Sequence, residues 1–193
     1  MSIPEITLED FQQVLTPQNI KVLQIIFLAL GLGVLIFAII AFAFYFILPQ
    51  NEEPTEVSVI RVLTIIHLLL FPVVFYISKK LYDQLFQSHR FSQLPNDPAQ
   101  LQQMSRLTLA ENLLAIIRTT SIVRLAMWEA LALFGLTICF LGRLQGVLPH
   151  YPLYWMNLIS AIIFEMIIFN EFPSRTKLEL LFREKWSRQT IYR

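Results

Sequence analysis

Four long apolar runs, separated by shorter polar stretches, dominate the 193-residue chain. The first is the cleanest: across residues 22–48 nothing is charged, and Gln24 is the only strongly polar side chain. At 1.5 Å per residue it reaches about 40 Å as a helix, longer than the ~30 Å hydrocarbon core of a bilayer. Thr16-Pro17 ahead of it reads as an N-cap followed by proline at the first helical position, and Pro49 closes it. Three further runs, 57–78, 121–144 and 153–172, carry isolated polar residues. The last opens on Tyr151, Tyr154 and Trp155, the aromatic belt of a membrane interface. Outside the runs the spacing turns amphipathic. Leu8, Phe11, Val14 and Leu15 mark a helix in 1–19, with Thr7 and Asp10 as its capping box. Leu101, Met104, Leu107, Leu113, Leu114 and Ile117 mark another in the connector 79–120, and Leu178, Leu181, Phe182 and Trp186 a third in 174–193. The pattern predicts one all-α membrane domain with spans over 20–48, 57–78, 121–144 and 153–172, arranged as two hairpins with amphipathic helices at the membrane surface.

Composition agrees: 55% hydrophobic and 15% charged, against about 45–50% and 25% in soluble domains. Aromatic content of 13% excludes disorder, and a single cysteine excludes a disulfide scaffold. A net charge of +1 leaves no basic field to hold nucleic acid.

The placement of charge says more than its sum. Lys79, Lys80, Arg90, Arg106 and Arg118 lie between spans two and three, and Arg175, Lys177, Arg183, Lys185, Arg188 and Arg193 after span four. The outer loops hold Arg61 and Arg143 at their edges, with Glu52, Glu53 and Glu56 in the first. The positive-inside rule then puts both termini in the cytoplasm of a multi-pass protein of the cell membrane. The basic tail, with Arg175, Lys177, Arg183, Lys185, Arg188 and Trp186, is expected to lie on the anionic inner leaflet or to dock a partner, including the acidic N-terminal segment of its own or another chain.

The two halves also resemble each other. Ser78-Lys79-Lys80 with Leu85-Phe86 follows span two, and Ser174-Arg175-Thr176 with Leu181-Phe182 follows span four, 96 positions on. An internal duplication would produce this, and so would the shared physics of helical hairpins.

Ionisable residues inside a span cost several kcal/mol when unpaired, so each needs a reason. Glu129 lies eight residues past Ser121 and Glu165 eight before Pro173, which places both at similar depth. Facing one another, they would share a proton and form a proton or cation site, with Arg124 nearby. The structural alternative leaves Glu129 neutral or pairs it with Arg124 or Arg118, and bonds Glu165 to an asparagine or a backbone group of a neighbouring helix or a partner subunit. His67 falls near mid-membrane, either packed and hydrogen-bonded across helices or ligating a haem or pigment. Pro72 beyond it removes one helical hydrogen bond. Cys139 reads as a small hydrophobe, and the pairs Ala29/Gly33 and Ala126/Ala130 permit close helix contact.

The stretch Arg124-Leu-Ala-Met-Trp-Glu129-Ala-Leu-Ala-Leu-Phe-Gly135-Leu, within 118–141, resembles the carboxylate-bearing helix of rotary ATPase proteolipid (c-ring) subunits. The resemblance implies a proton-carrying role for Glu129 and covers about twenty residues. Span one, with only Gly31 and Gly33, departs from the glycine-rich inner helix of that family. Arg118-Thr-Thr-Ser-Ile-Val-Arg124 through Glu129, with Pro173-Ser-Arg-Thr-Lys177 after the last span, is similar to small uncharacterised bacterial four-span membrane proteins and implies no particular activity.

No Ser-His-Asp set, HExxH, CxxC, P-loop or GxGxxG occurs, and five glycines give little from which to build a phosphate loop. The expectation is a non-catalytic subunit or scaffold of a membrane complex, homo-oligomeric or bound to larger subunits, without metal or cofactor. Proton or cation translocation through Glu129 and Glu165, with His67 as a relay, is the alternative, and a haem- or pigment-bearing subunit through His67 the third.

Overall fold

The computed structural model describes residues 6–47, 54, 57–85 and 105–190, with no strand among them. Among the described residues seven α-helices follow one another: α1 (Leu8–Val14), α2 (Pro17–Ile47), α3 (Val57–Leu85), α4 (Arg106–Leu144), α5 (Val147–His150), α6 (Ile159–Glu171) and α7 (Arg175–Thr190). A 3-10 helix over Pro152–Leu158 leads directly into α6. Four stretches are long and apolar enough to cross a membrane: Pro17–Ile47, Val57–Leu81, Arg106–Leu144 and Pro152–Glu171. Pro49, the acidic residues Glu52, Glu53 and Glu56, residues 86–104 with Arg90, Leu101 and Met104, Arg193, and the side chains of Lys185, Trp186 and Arg188 lie outside the described residues.

Local chemistry sets the helix starts. Thr7 Oγ1 accepts from the Asp10 N–H at 3.2 Å, and Asp10 Oδ2 accepts from the Thr7 N–H at 2.9 Å, a reciprocal capping box. At α2 the Asn19 N–H donates to Thr16 Oγ1 at 3.2 Å, and Pro17 loses nothing by lacking an N–H. Other boundaries differ from the hydropathy pattern. Span three is one continuous 39-residue helix that absorbs the connector from Arg106 onward, because nothing between Arg106 and Leu144 breaks it. Span four opens as a 3-10 helix because Pro152 starts it and Tyr151 and Tyr154 pack edge-to-face across its first turn. The halves also end differently: α3 runs through Ser78-Lys79-Lys80 to Leu85, whereas Pro173 separates α6 from α7.

The chain divides into two compact units. One gathers Met1–Phe27, Lys79–Val123 and Glu171–Arg193, and the other Leu28–Ser78 and Arg124–Asn170. All 15 Lys and Arg residues except Arg61, Arg124 and Arg143 fall in the ranges of the first unit. Within it α1 packs on α7, with the rings of Phe11 and Phe182 stacked at 4.7 Å between centroids. Phe11, Leu178 and Phe182 are all buried there. The apolar face of the basic helix thus meets the acidic N-terminal helix of the same chain at Phe182. Also within this unit, Gln24 Nε2 donates to the Pro173 carbonyl at 2.9 Å, capping a carbonyl where the helix breaks. Phe27 meets Phe172 edge-on.

The capping box makes this docking pH-dependent. Hydrogen bonds from Thr7, the side-chain bond first, hold the Asp10 carboxyl below its usual value. A carboxyl depressed in the folded state stabilises fully above its unfolded value of about 3.9 and loses that contribution as pH falls through the lower folded value. A fluorine label on Phe11 should therefore report an unchanged α1–α7 contact from neutral pH to about pH 4 and a loosening below it. An Asp10→Ala variant should show a looser, pH-independent signal.

The second unit is centred on α4. Ile138 packs with Ile60 of α3 and Val147 of α5, flanked by Val57, Leu63, Phe134, Leu141 and Tyr154. Around it, α2 and α3 expose long rows of Leu, Ile, Val and Phe, the surface that lipid or another membrane helix solvates.

Candidate functional site

The polar side chains of the second unit form two groups. The first is a buried knot around His67 of α3, which is 2% exposed. Asn157, in the 3-10 helix, donates through Nδ2 to Thr64 Oγ1 at 3.0 Å and to the Tyr154 carbonyl at 2.8 Å. Those two bonds fix its amide orientation and turn Oδ1 toward His67 Nδ1, 2.9 Å away. An oxygen acceptor there requires Nδ1 to carry the proton, which assigns the tautomer. The other nitrogen, Nε2, lies 3.0 Å from Ser160 Oγ and accepts its hydroxyl hydrogen when the ring is neutral. Both ring nitrogens are engaged by protein side chains, so axial ligation of a haem or pigment would require breaking the knot.

Gly135 of α4 makes this closeness possible. A Cβ there would collide with the Asn157 carbonyl oxygen and lie 2.6 Å from Ser160 Oγ and 3.0 Å from His67 Cε1. The Phe134-Gly135 pair, part of the proteolipid resemblance, therefore has a packing reason in this fold: Phe134 meets the His67 ring edge-on at 5.8 Å, and Gly135 admits the 3-10 backbone.

The second group is the carboxylate pair. Glu129 projects from α4 and Glu165 from α6, and both reach α2 at its two glycines. Glu129 Oε1 lies 3.5 Å from where a Gly33 Cβ would stand, and Glu165 Oε2 3.4 Å from that of Gly31. Two residues of helix turn through about 200°, so the carboxyls abut nearly opposite flanks of α2. Val34, 1% exposed, lies between them on the inner side, and Leu32, 51% exposed, on the outer side. The similar depth read from the sequence does not bring them together, and the shared-proton arrangement is not formed. Nor is the pairing with arginine or asparagine. Among the described residues neither carboxylate has an ion pair or hydrogen bond, and Glu165 Oε1 is buried without a partner. Arg124 stands five residues before Glu129 on the same helix, half-buried.

Arg143, at the far end of α4, carried no special signal in the sequence. It is 4% exposed, donates from Nε to the Tyr45 carbonyl at 2.9 Å, and stacks its guanidinium 4.8 Å above the Tyr45 ring. A cavity of about 10 Å³ beside it, lined by Cys139, Arg143, Tyr45 and Trp155, has room for roughly one water. Of the tail residues, Arg175 and Lys177 are exposed on α7, with Arg175 Nε 3.1 Å from Glu179 Oε1, and Arg183 is exposed one turn beyond Glu179.

No protein-family model, curated protein or solved structure matches the chain.

Proposed function

We propose that this protein is a non-catalytic integral membrane subunit that assembles laterally with another membrane protein, both termini facing the cytoplasm. One observation carries the reading: two intramembrane carboxyls, on opposite flanks of α2, without a partner among the described residues. A carboxylate in hydrocarbon costs several kcal/mol unless it is neutralised or paired, so the complement is expected from outside the chain. The membrane-facing rows of α2 and α3 provide the surface on which such a partner packs. Arg175, Lys177 and Arg183 lie exposed on α7, and their charge fits a helix that meets anionic headgroups on the cytoplasmic face.

Translocation of protons or cations ranks second. The half-buried Glu129 beside an exposed Gly33 favours it, since protons could reach that carboxyl. Separation of the carboxyls by α2 and full engagement of His67 weigh against a relay of the three. A pH-driven flux in proteoliposomes that disappears in Glu129→Gln would raise this reading to first place.

Cross-linking in the native membrane tests the first reading. Products joining this chain to a second polypeptide are expected, and a chain that stays a lone monomer at every concentration in mild detergent contradicts it.

A further inference from the structure

The basic helix α7 keeps its apolar side inside the protein. Phe182 is 6% exposed and stacks on the fully buried Phe11 of α1 at 4.7 Å between ring centroids. Leu178, one turn earlier on the same side, is 5% exposed. A basic amphipathic helix ordinarily binds a bilayer by sinking that side to the acyl boundary. Here the side is already buried in protein, and insertion would require α7 to part from α1.

The opposite side is open. At about 100° per residue, Leu180 lies diametrically opposite the midpoint of Leu178 and Phe182, with Lys177 and Arg183 about 60° to either side of it. Lys177, Leu180, Arg183 and the neighbouring Glu184 are all exposed. Over its length α7 carries five Lys and Arg residues against Glu179 and Glu184. Its start sits at the membrane boundary, directly after the apolar stretch Pro152–Glu171 and tied through the Pro173 carbonyl to Gln24 at the beginning of span one.

We infer that α7 rides on the anionic headgroups of the cytoplasmic leaflet through its Lys177–Leu180–Arg183 side, by charge and without inserting its apolar side into the hydrocarbon. This inference rests on the cytoplasmic placement of α7 given with the lateral-assembly reading, and specifies how the helix meets lipid. Charge complementarity selects the occupant. Anionic lipids give the inner leaflet a negative potential that attracts basic segments beside a span. A leucine flanked by two long basic side chains fits that layer, because the stems cover apolar surface while the charged heads stay among phosphates. Among the described residues of α7, Leu180 is the single large apolar side chain that is exposed, too little to draw the helix deeper. Binding of this kind is reversed by salt, whereas hydrophobic insertion is not.

The test uses the full-length protein in vesicles of phosphatidylcholine mixed with phosphatidylglycerol. Fluorophenylalanine is placed at Phe182 in one sample and at the new ring of Leu180→Phe in another. Fluorine line broadening is then read with lipids that carry a nitroxide on the headgroup or at mid-chain. The headgroup nitroxide should broaden position 180 more than position 182, and the mid-chain nitroxide should broaden neither. Replacing both Lys177→Gln and Arg183→Gln should lower the broadening at position 180 by about threefold or more. Raising salt from about 0.1 M to about 1 M, which shortens the screening length from about 10 to about 3 Å, should do the same. Circular dichroism verifies that each variant is folded. Broadening of Phe182 by the mid-chain nitroxide overturns the inference, because α7 would then insert. No broadening at position 180, or broadening that ignores phosphatidylglycerol and salt, also overturns it and points to an acidic protein surface instead. The purified chain is used throughout, so either result is separate from the finding of a lone chain in the native membrane, which would overturn the lateral-assembly reading.

Discussion

Replacing Gly135 by alanine is expected to destabilise the protein by roughly 3 kcal/mol, the upper end of what one added methyl costs in a packed interior. The added carbon would overlap the Asn157 carbonyl oxygen and crowd Ser160 Oγ at 2.6 Å. Neither neighbour can yield cheaply. The carbonyl belongs to the backbone of the 3-10 helix, and the hydroxyl is shared between His67 Nε2 and the carbonyls of Asn157 and Leu131. Relief requires moving α4 away from the 3-10 helix, which breaks the contacts of Phe134 and Gly135 with His67. Gly33→Ala is the matched control, because its new carbon meets only Glu129 Oε1 at an ordinary 3.5 Å. Titration with a denaturing detergent, followed by circular dichroism, should show Gly135→Ala unfolding far earlier than wild type and Gly33→Ala within about 0.5 kcal/mol of it.

The second large effect is expected at Asn157. Asn157→Leu keeps the volume and removes the acceptor of His67 Nδ1–H, the donor to Thr64 and the donor to the Tyr154 carbonyl in one step. An unmatched buried donor costs about 1–3 kcal/mol, and the His67 ring has no second acceptor at Nδ1. Interhelical hydrogen bonds in membranes average less, about 0.6 kcal/mol, because the unfolded chain in lipid also finds partners. Several bonds are lost together here, and a loss of about 2 kcal/mol is the expected sum. The same detergent titration measures it. Nitrogen chemical shifts of His67 should report a neutral Nδ1–H ring in the wild type and a changed tautomer balance in Asn157→Leu. A wild-type ring protonated at Nε2 alone would contradict the assigned tautomer.

What could be read from the chain beforehand was local. Uncharged length and the Thr16-Pro17 cap defined α2, because a span and its N-cap need only neighbours in sequence. The Thr7/Asp10 box was legible for the same reason. The remainder depends on distance along the chain. His67 meets Asn157 and Ser160 from 90 and 93 residues away, and a serine or asparagine in an apolar run gives no indication of its partner. The spacing of Asn157 and Ser160, three apart on one helical face, was the available signal that they act together. Depth along the membrane, which spacing estimates, put Glu129 and Glu165 at one level and left open whether they face each other. Azimuth around α2, which spacing within α4 and α6 does not contain, keeps them apart. The continuity of α4 was likewise hidden, because a change from amphipathic to apolar pattern looks like a boundary even where no residue breaks the helix.

The central claim is that this chain occupies its membrane as part of an assembly. Native mass spectrometry of the protein extracted with its surrounding lipid, without detergent, tests it most directly. The account predicts a particle containing a second, different membrane polypeptide, which dissociates when Glu129 is replaced by glutamine. A particle with the mass of a single 22.5 kDa chain and lipid alone would contradict it.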